Sequence, residues 1–184
     1  IMLPNINPYL RPKGISENKW CDLKISEMEE TILSVGADQI GCFIAEPILA
    51  SGGVIVPPAG YHQRSLELCK KYDIIYISDE TVTGFGRLGH WFASKEVFNI
   101  QPDIITCAKG LTSGYLPMGA AIMSDSLIDE IKNTEGSQPF TNGYTYSCHP
   151  VAAKAALTNI NIISNENILG HVQEISPHFQ TRLK

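Results

Sequence analysis

Residues 73–80, "DIIYISDE", form a short apolar run that stops at two carboxylates and continues as "TVTGFGRLGHW" over residues 81–91. A run of this length with β-branched and aromatic residues, ended by charge, reads as a buried strand whose C-terminal end carries function. The continuation contains Gly84-Phe85-Gly86-Arg87-Leu88-Gly89, which matches the Gly-x-Gly-x-x-Gly pattern of dinucleotide-binding loops. That fingerprint requires glycines that open a helix directly after the strand, and an acidic residue about 20 positions later at the end of the next strand. Here Asp79 and Glu80 put two negative charges where a pyrophosphate would lie, and Asp103 precedes its strand instead of ending it. "HWFASKEVF" is also too short and aromatic for a crossover helix. The glycines are therefore read as turn formers, and a nicotinamide oxidoreductase is set aside.

The flanking sequence repeats the same grammar. "IGCFIAEP" is a second apolar run that ends at Glu46 and Pro47, and Ile104–Ala108 is a third that ends at Lys109. Between the first two strands, residues 61–72 read as a helix. Strand, helix, strand predicts an α/β fold with a mainly parallel sheet covered by helices on both faces. Upstream, "SEMEETILSVG" offers a capping box, Ser26 with Glu29, an apolar face at Met28, Ile32 and Val35, and Gly36 as the stop. Downstream, "MGAAIMS" reads as a further strand followed by a short helix. "HPVAAKAALTNINIIS" reads as an Ala-rich helix from Pro150, and "NILGHVQEISPHFQTRL" as a helix interrupted at Pro177. The polar stretch over residues 133–146 is long enough to suggest a functional or interface loop.

Composition narrows the function classes. With 43% hydrophobic and 18% charged residues the chain is an ordinary globular sequence, and a net charge of -5 with scattered Lys and Arg argues against a nucleic-acid partner. No run is long enough for a membrane span, and "IMLPNINPYL" lacks a signal-peptide start. Cys21, Cys42, Cys69, Cys107 and Cys148 never form Cys-x-x-Cys, which indicates neither a disulfide framework nor a zinc site. The five histidines are dispersed and are read as surface or helix-start residues, with no metal expected. The expected location is the cytoplasm. Both ends read as cut, so a segment of a longer chain is expected.

Asp79 and Lys109 fall at the C-terminal ends of successive predicted strands, the edge where open α/β sheets bind ligands. A lysine among the small and apolar residues of "TCAKGLTSG" would be partly desolvated, which favours the neutral, nucleophilic amine. An aspartate nearby could hold a protonated ring nitrogen. These are the two groups that pyridoxal phosphate requires. A structural ion pair at a sheet edge explains the same two residues equally well, and spacing alone leaves both readings open. Glu46 is either a support for such a site or a strand-end carboxylate bonded to backbone donors.

Four stretches tip the balance: "AEPILASGGVIVPPAGY", "CKKYDIIYISDETVTGFGRLGHWF", "QPDIITCAKGLTSGYLPMGA" and "NGYTYSCHPVAAKAAL". In this order they resemble the class III, pyridoxal-phosphate-dependent aminotransferases, whose fold is that of the aspartate aminotransferases (fold type I), and within the class the omega-amino acid–pyruvate aminotransferases. The resemblance implies that residues 1–165 are part of the cofactor-binding large domain and residues 166–184 the start of the small domain. It implies that Lys109 is the Schiff-base lysine and proton shuttle, and that Asp79 keeps the cofactor's ring nitrogen protonated. Thr81 matches a position that packs on the ring, and Thr145 the threonine that reaches a partner subunit's cofactor phosphate in a homodimer. An amine donor and a 2-oxo acid acceptor are the implied substrates.

Three departures from the family pattern stand out. Thr81 replaces the usual Val, Cys148 replaces a Gly and puts the local backbone in question, and Ser51 stands where relatives that use 2-oxoglutarate often carry Glu. The last favours pyruvate as acceptor. The stretch lacks the family's phosphate-binding Gly/Ser turn, the ring-stacking aromatic and the carboxylate-binding arginine, so the chain alone is expected to be inactive or nearly so. The rival readings are an aminomutase or decarboxylase on the same scaffold, and a catalytically dead dimerisation fragment.

Overall fold

The structure is a computed structural model that describes residues 1–134, 136 and 140–183. The chain packs as two compact units, Ile1–Asp79 with Ala93–Pro102, and Glu80–Phe92 with the chain from Asp103 onward.

In the first unit, α1 (Glu17–Val35) leads through a 3-10 turn to β1 (Cys42–Ala45), then to α2 (Tyr61–Lys71) and β2 (Ile75–Asp79), with α3 (Ala93–Glu96) added from further along the chain. α1 begins ten residues before the expected capping box: the Ser16 side chain accepts from the Lys19 amide and Ser26 lies exposed in the helix interior. The misreading has a simple cause. A Ser with Glu three residues on looks the same to the eye whether or not another turn precedes it, and Trp20, Cys21, Ile25, Met28 and Ile32 continue one buried stripe through it. Gly36 stops the helix as expected, with φ +93 and its amide bonded to the Ile32 carbonyl.

β1 and β2 pair in parallel, from Cys42 opposite Ile75 to Ala45 opposite Ser78. β1 alternates between exposed and half-buried positions, and Ile44 is 56% exposed, so this strand is not the doubly buried run its apolar sequence suggested. The core gathers Ile25, Met28, Ile32, Leu66, Cys69 and Tyr76 among others. His62 is buried in it. Its Nε2 lies 3.0 Å from the Pro47 carbonyl, which can only accept, so Nε2 carries the proton and Nδ1 accepts from the Tyr76 hydroxyl at 2.9 Å. This is a structural histidine. Burial pushes the Tyr61 phenol of the same core up to about 12 and raises that of Tyr76.

In the second unit β3 (Ile104–Cys107) runs into a 3-10 turn at Lys109–Thr112, and β4 (Ala120–Met123) returns antiparallel, pairing Ile104 with Met123 and Cys107 with Ala120. α4 (Asp125–Asn133), α5 (Pro150–Asn165) and α6 (Ile168–Leu183) follow. α6 is continuous, with Pro177 inside it instead of interrupting it, and the Ser176 and Thr181 hydroxyls bond to the Val172 and Pro177 carbonyls around that point. Of the expected loop over 133–146, residues 135 and 137–139 lie outside the described residues. Among the described residues no helix is long and apolar enough to cross a membrane, and no cluster of His, Cys, Asp and Glu is arranged to hold a metal.

Candidate active site

Lys109 follows β3 after the extended Ala108, and its own backbone is one that few residues tolerate, with φ +39. A non-glycine residue at positive φ costs on the order of 1–2 kcal/mol, which persists only where the surroundings over-determine it. The surroundings here do so. The Leu111 amide bonds to the Ala108 carbonyl at 2.9 Å, and the buried Thr112 hydroxyl bonds to the Leu116 carbonyl at 2.6 Å. The lysine side chain is exposed, so the partial desolvation expected from its small and apolar neighbours is not supplied by them.

The glycine-rich stretch has a clear job in the same unit. The Phe85 amide bonds to the Trp91 carbonyl at 2.8 Å and the Gly86 amide to the His90 carbonyl at 2.9 Å, folding residues 85–91 back on themselves. Gly86 and Gly89 sit at φ +93 and +78. A Cβ on Gly110 would lie 2.9 Å from Cβ of Phe85, so the missing side chain lets this loop press against the lysine turn. The pattern builds turns and a close approach, as the sequence reading held.

Glu80, which starts this unit, is fully buried. Its carboxylate accepts from the Thr83 hydroxyl, and its amide bonds to the Thr106 carbonyl at 2.8 Å. Thr81 is half-buried beside it in sequence. Cys107, the last residue of β3, is buried, and burial pushes its thiol up, keeping it protonated and unreactive.

Thr145 is exposed on a turn closed by the Ser147 amide to the Tyr144 carbonyl at 2.9 Å, with the Ser147 hydroxyl accepting from the Tyr144 amide. Tyr144 and Tyr146 flank it at 83% and 82% exposure. Cys148, beyond the turn, adopts φ +57, so the chain keeps the geometry that a glycine would favour and a cysteine holds it.

In the first unit Asp79 ends β2 half-buried and lines a cavity of about 620 Å³ together with Phe43, Ala45 and Glu46. Glu46 accepts from the Ala50 amide at 3.1 Å, the strand-end role weighed for it. Ser51 is exposed in the turn that follows, between Leu49 and Ile55, which bond to each other's backbone.

Sequence reasoning missed Asn159 on α5. Its Nδ2 donates to the Gly110 carbonyl at 2.7 Å and the Leu111 carbonyl at 3.2 Å, and its Oδ1 accepts from the Ser113 hydroxyl at 2.8 Å. A signal existed: Asn159 is a polar residue in register with Ala152, Ala156 and Ile163 on the buried stripe of α5, and buried amides require partners.

An α/β chain that ends one strand on a half-buried carboxylate and sets an exposed amine on a constrained turn after another has the groups a pyridoxal-phosphate enzyme needs: an amine for an imine and an anion for a protonated ring nitrogen. The chain belongs to the class III aminotransferases, whose pattern matches residues 2–184. It is 48% identical to the putrescine–pyruvate aminotransferase of Pseudomonas aeruginosa, over 95% of this chain and 38% of that one. Among solved structures, an omega-aminotransferase from Paracoccus denitrificans superposes with a TM-score of 0.93 at 37% identity, covering 100% of this chain and 41% of that one. An amine transaminase from an uncultivated Pseudomonas species, in its pyridoxal-phosphate-bound form, gives 0.88 at 39% identity, with 96% and 40% covered. The family's cofactor is pyridoxal 5'-phosphate and its fold that of the fold type I transaminases. The chain spans between 33% and 38% of the length of the curated relatives it matches.

Proposed function

We propose that a protein of the family's full length carrying this chain transfers an amino group from an omega-amino acid or amine to pyruvate, with Lys109 as the Schiff-base lysine. The observation that carries the reading is the exposed Lys109 amine on a positive-φ turn that its neighbours hold in place. Bound there, pyridoxal phosphate supplies an electron sink for the bonds at the amine-bearing carbon. Lys109 would anchor the cofactor and then move the proton at that carbon. Asp79 would hold the proton on the ring nitrogen, and Thr81 would offer its methyl to the ring face. The exposed Tyr144–Ser147 turn, with two aromatics beside Thr145, supports a homodimer in which Thr145 donates to the partner's cofactor phosphate.

Ser51 supports the choice of acceptor, because a neutral side chain at the turn tip leaves no carboxylate to engage an arginine there. The 184-residue chain alone is expected to show no robust turnover. In a full-length form, amine-dependent conversion of pyruvate to alanine should exceed conversion of 2-oxoglutarate to glutamate by about tenfold or more in kcat/KM, the scale on which one lost charged contact discriminates. A preference for 2-oxoglutarate would sink the acceptor assignment, and an amine consumed without alanine or glutamate formation would point to mutase or decarboxylase chemistry.

A further inference from the structure

We propose that Asn159 is a positioning residue for Lys109, its side-chain amide clamping the turn that sets the lysine backbone at positive φ. The inference deepens the proposed function and rests on it for its catalytic meaning, while the clamp itself stands on geometry. Three hydrogen bonds converge from one half-buried side chain: two donated to the Gly110 and Leu111 carbonyls and one accepted from Ser113. All three partners lie within four residues of Lys109, and the turn has two unfavourable backbone sites to hold, Lys109 at φ +39 and Ser113 at φ +51. The clamp comes from α5, whose small Ala152 and Ala156 are buried on the same stripe. Asn is the side chain the site demands, since it donates twice in one direction and accepts in the other. An isosteric Asp would present oxygen to two carbonyl oxygens. Gly110 also packs closely on Phe85, with no room for a Cβ, which limits how far the turn can shift toward Phe85.

The test compares Asn159→Asp, Asn159→Ala and Ser113→Ala in the intact chain, by amide hydrogen exchange and by competitive trace acetylation of lysines. The amides of Leu111, Ser113 and Tyr115 bond within the turn and report on it directly. Both Asn159 variants should exchange there about tenfold faster, the scale of one or two lost hydrogen bonds, with β1 and β2 unchanged. Lys109 acetylation relative to Lys132 of the same unit should shift by about threefold or more, a readout that a role confined to general stability would not move. Ser113→Ala removes only the accepted bond and should have the smaller effect on both readouts. Unchanged exchange and acetylation in Asn159→Ala, or exchange that accelerates evenly through the chain, would overturn the clamp. Failure of the parent reading looks different: wild type would show the protected turn and yet form no pyridoxal adduct at Lys109.

Discussion

Lys109 sits at a backbone angle that favours glycine, and its neighbours account for how it stays there. Gly110 has no Cβ because Phe85 occupies that space, and Cys148 takes a positive φ that glycine would adopt more readily. Gly110→Ala should cost about 1–3 kcal/mol through overpacking against Phe85, whereas Gly41→Ala, which meets nothing within 4 Å, should stay within about 0.5 kcal/mol. Chemical denaturation of the two variants separates these outcomes, and equal effects would show that the contact with Phe85 is not tight. Asp79 and Lys109 were singled out by their strand-end positions as well as by the four resembling stretches, whereas Thr81 and Thr145 were proposed through the resemblance alone. Asn159 could have been flagged as a polar residue on the buried stripe of α5, but its partners at Gly110 and Leu111 are remote in sequence and no local pattern names them.

Elements were read well where apolar pattern and punctuation agreed. β1, α2, β2 and β3 fall within a residue or two of the expected runs, and α5 starts at Pro150, where a proline's fixed φ and missing amide suit the first helical position. The failures have local causes. Ser26 mimicked a cap because it is followed by Glu29, while the true cap, Ser16, sits after a Pro- and Gly-containing stretch. Removing it should matter accordingly: Ser16→Ala is expected to destabilise by about 1 kcal/mol, and Ser26→Ala to be neutral or slightly stabilising, because Ala is the better helix former in an exposed interior. Thermal melts of both variants check this, and the reverse ranking would return the helix start to Ser26. The direction of β4 was not readable, because an apolar run carries no information on whether its neighbour runs parallel.

At the scale of the molecule, family membership rests on a match over nearly all of this chain, while the chain itself spans about a third of each relative. Composition argued against nucleic-acid partners on charge grounds but had no power to choose among α/β enzymes, and strand-end position alone left Asp79 and Lys109 equally compatible with a bare ion pair. The measurement that decides the central claim is borohydride reduction with pyridoxal phosphate in a full-length form, followed by peptide mass spectrometry. The account predicts one pyridoxyl adduct, on Lys109, abolished in Lys109→Ala. An adduct spread over surface lysines, or one that survives that substitution, would contradict it.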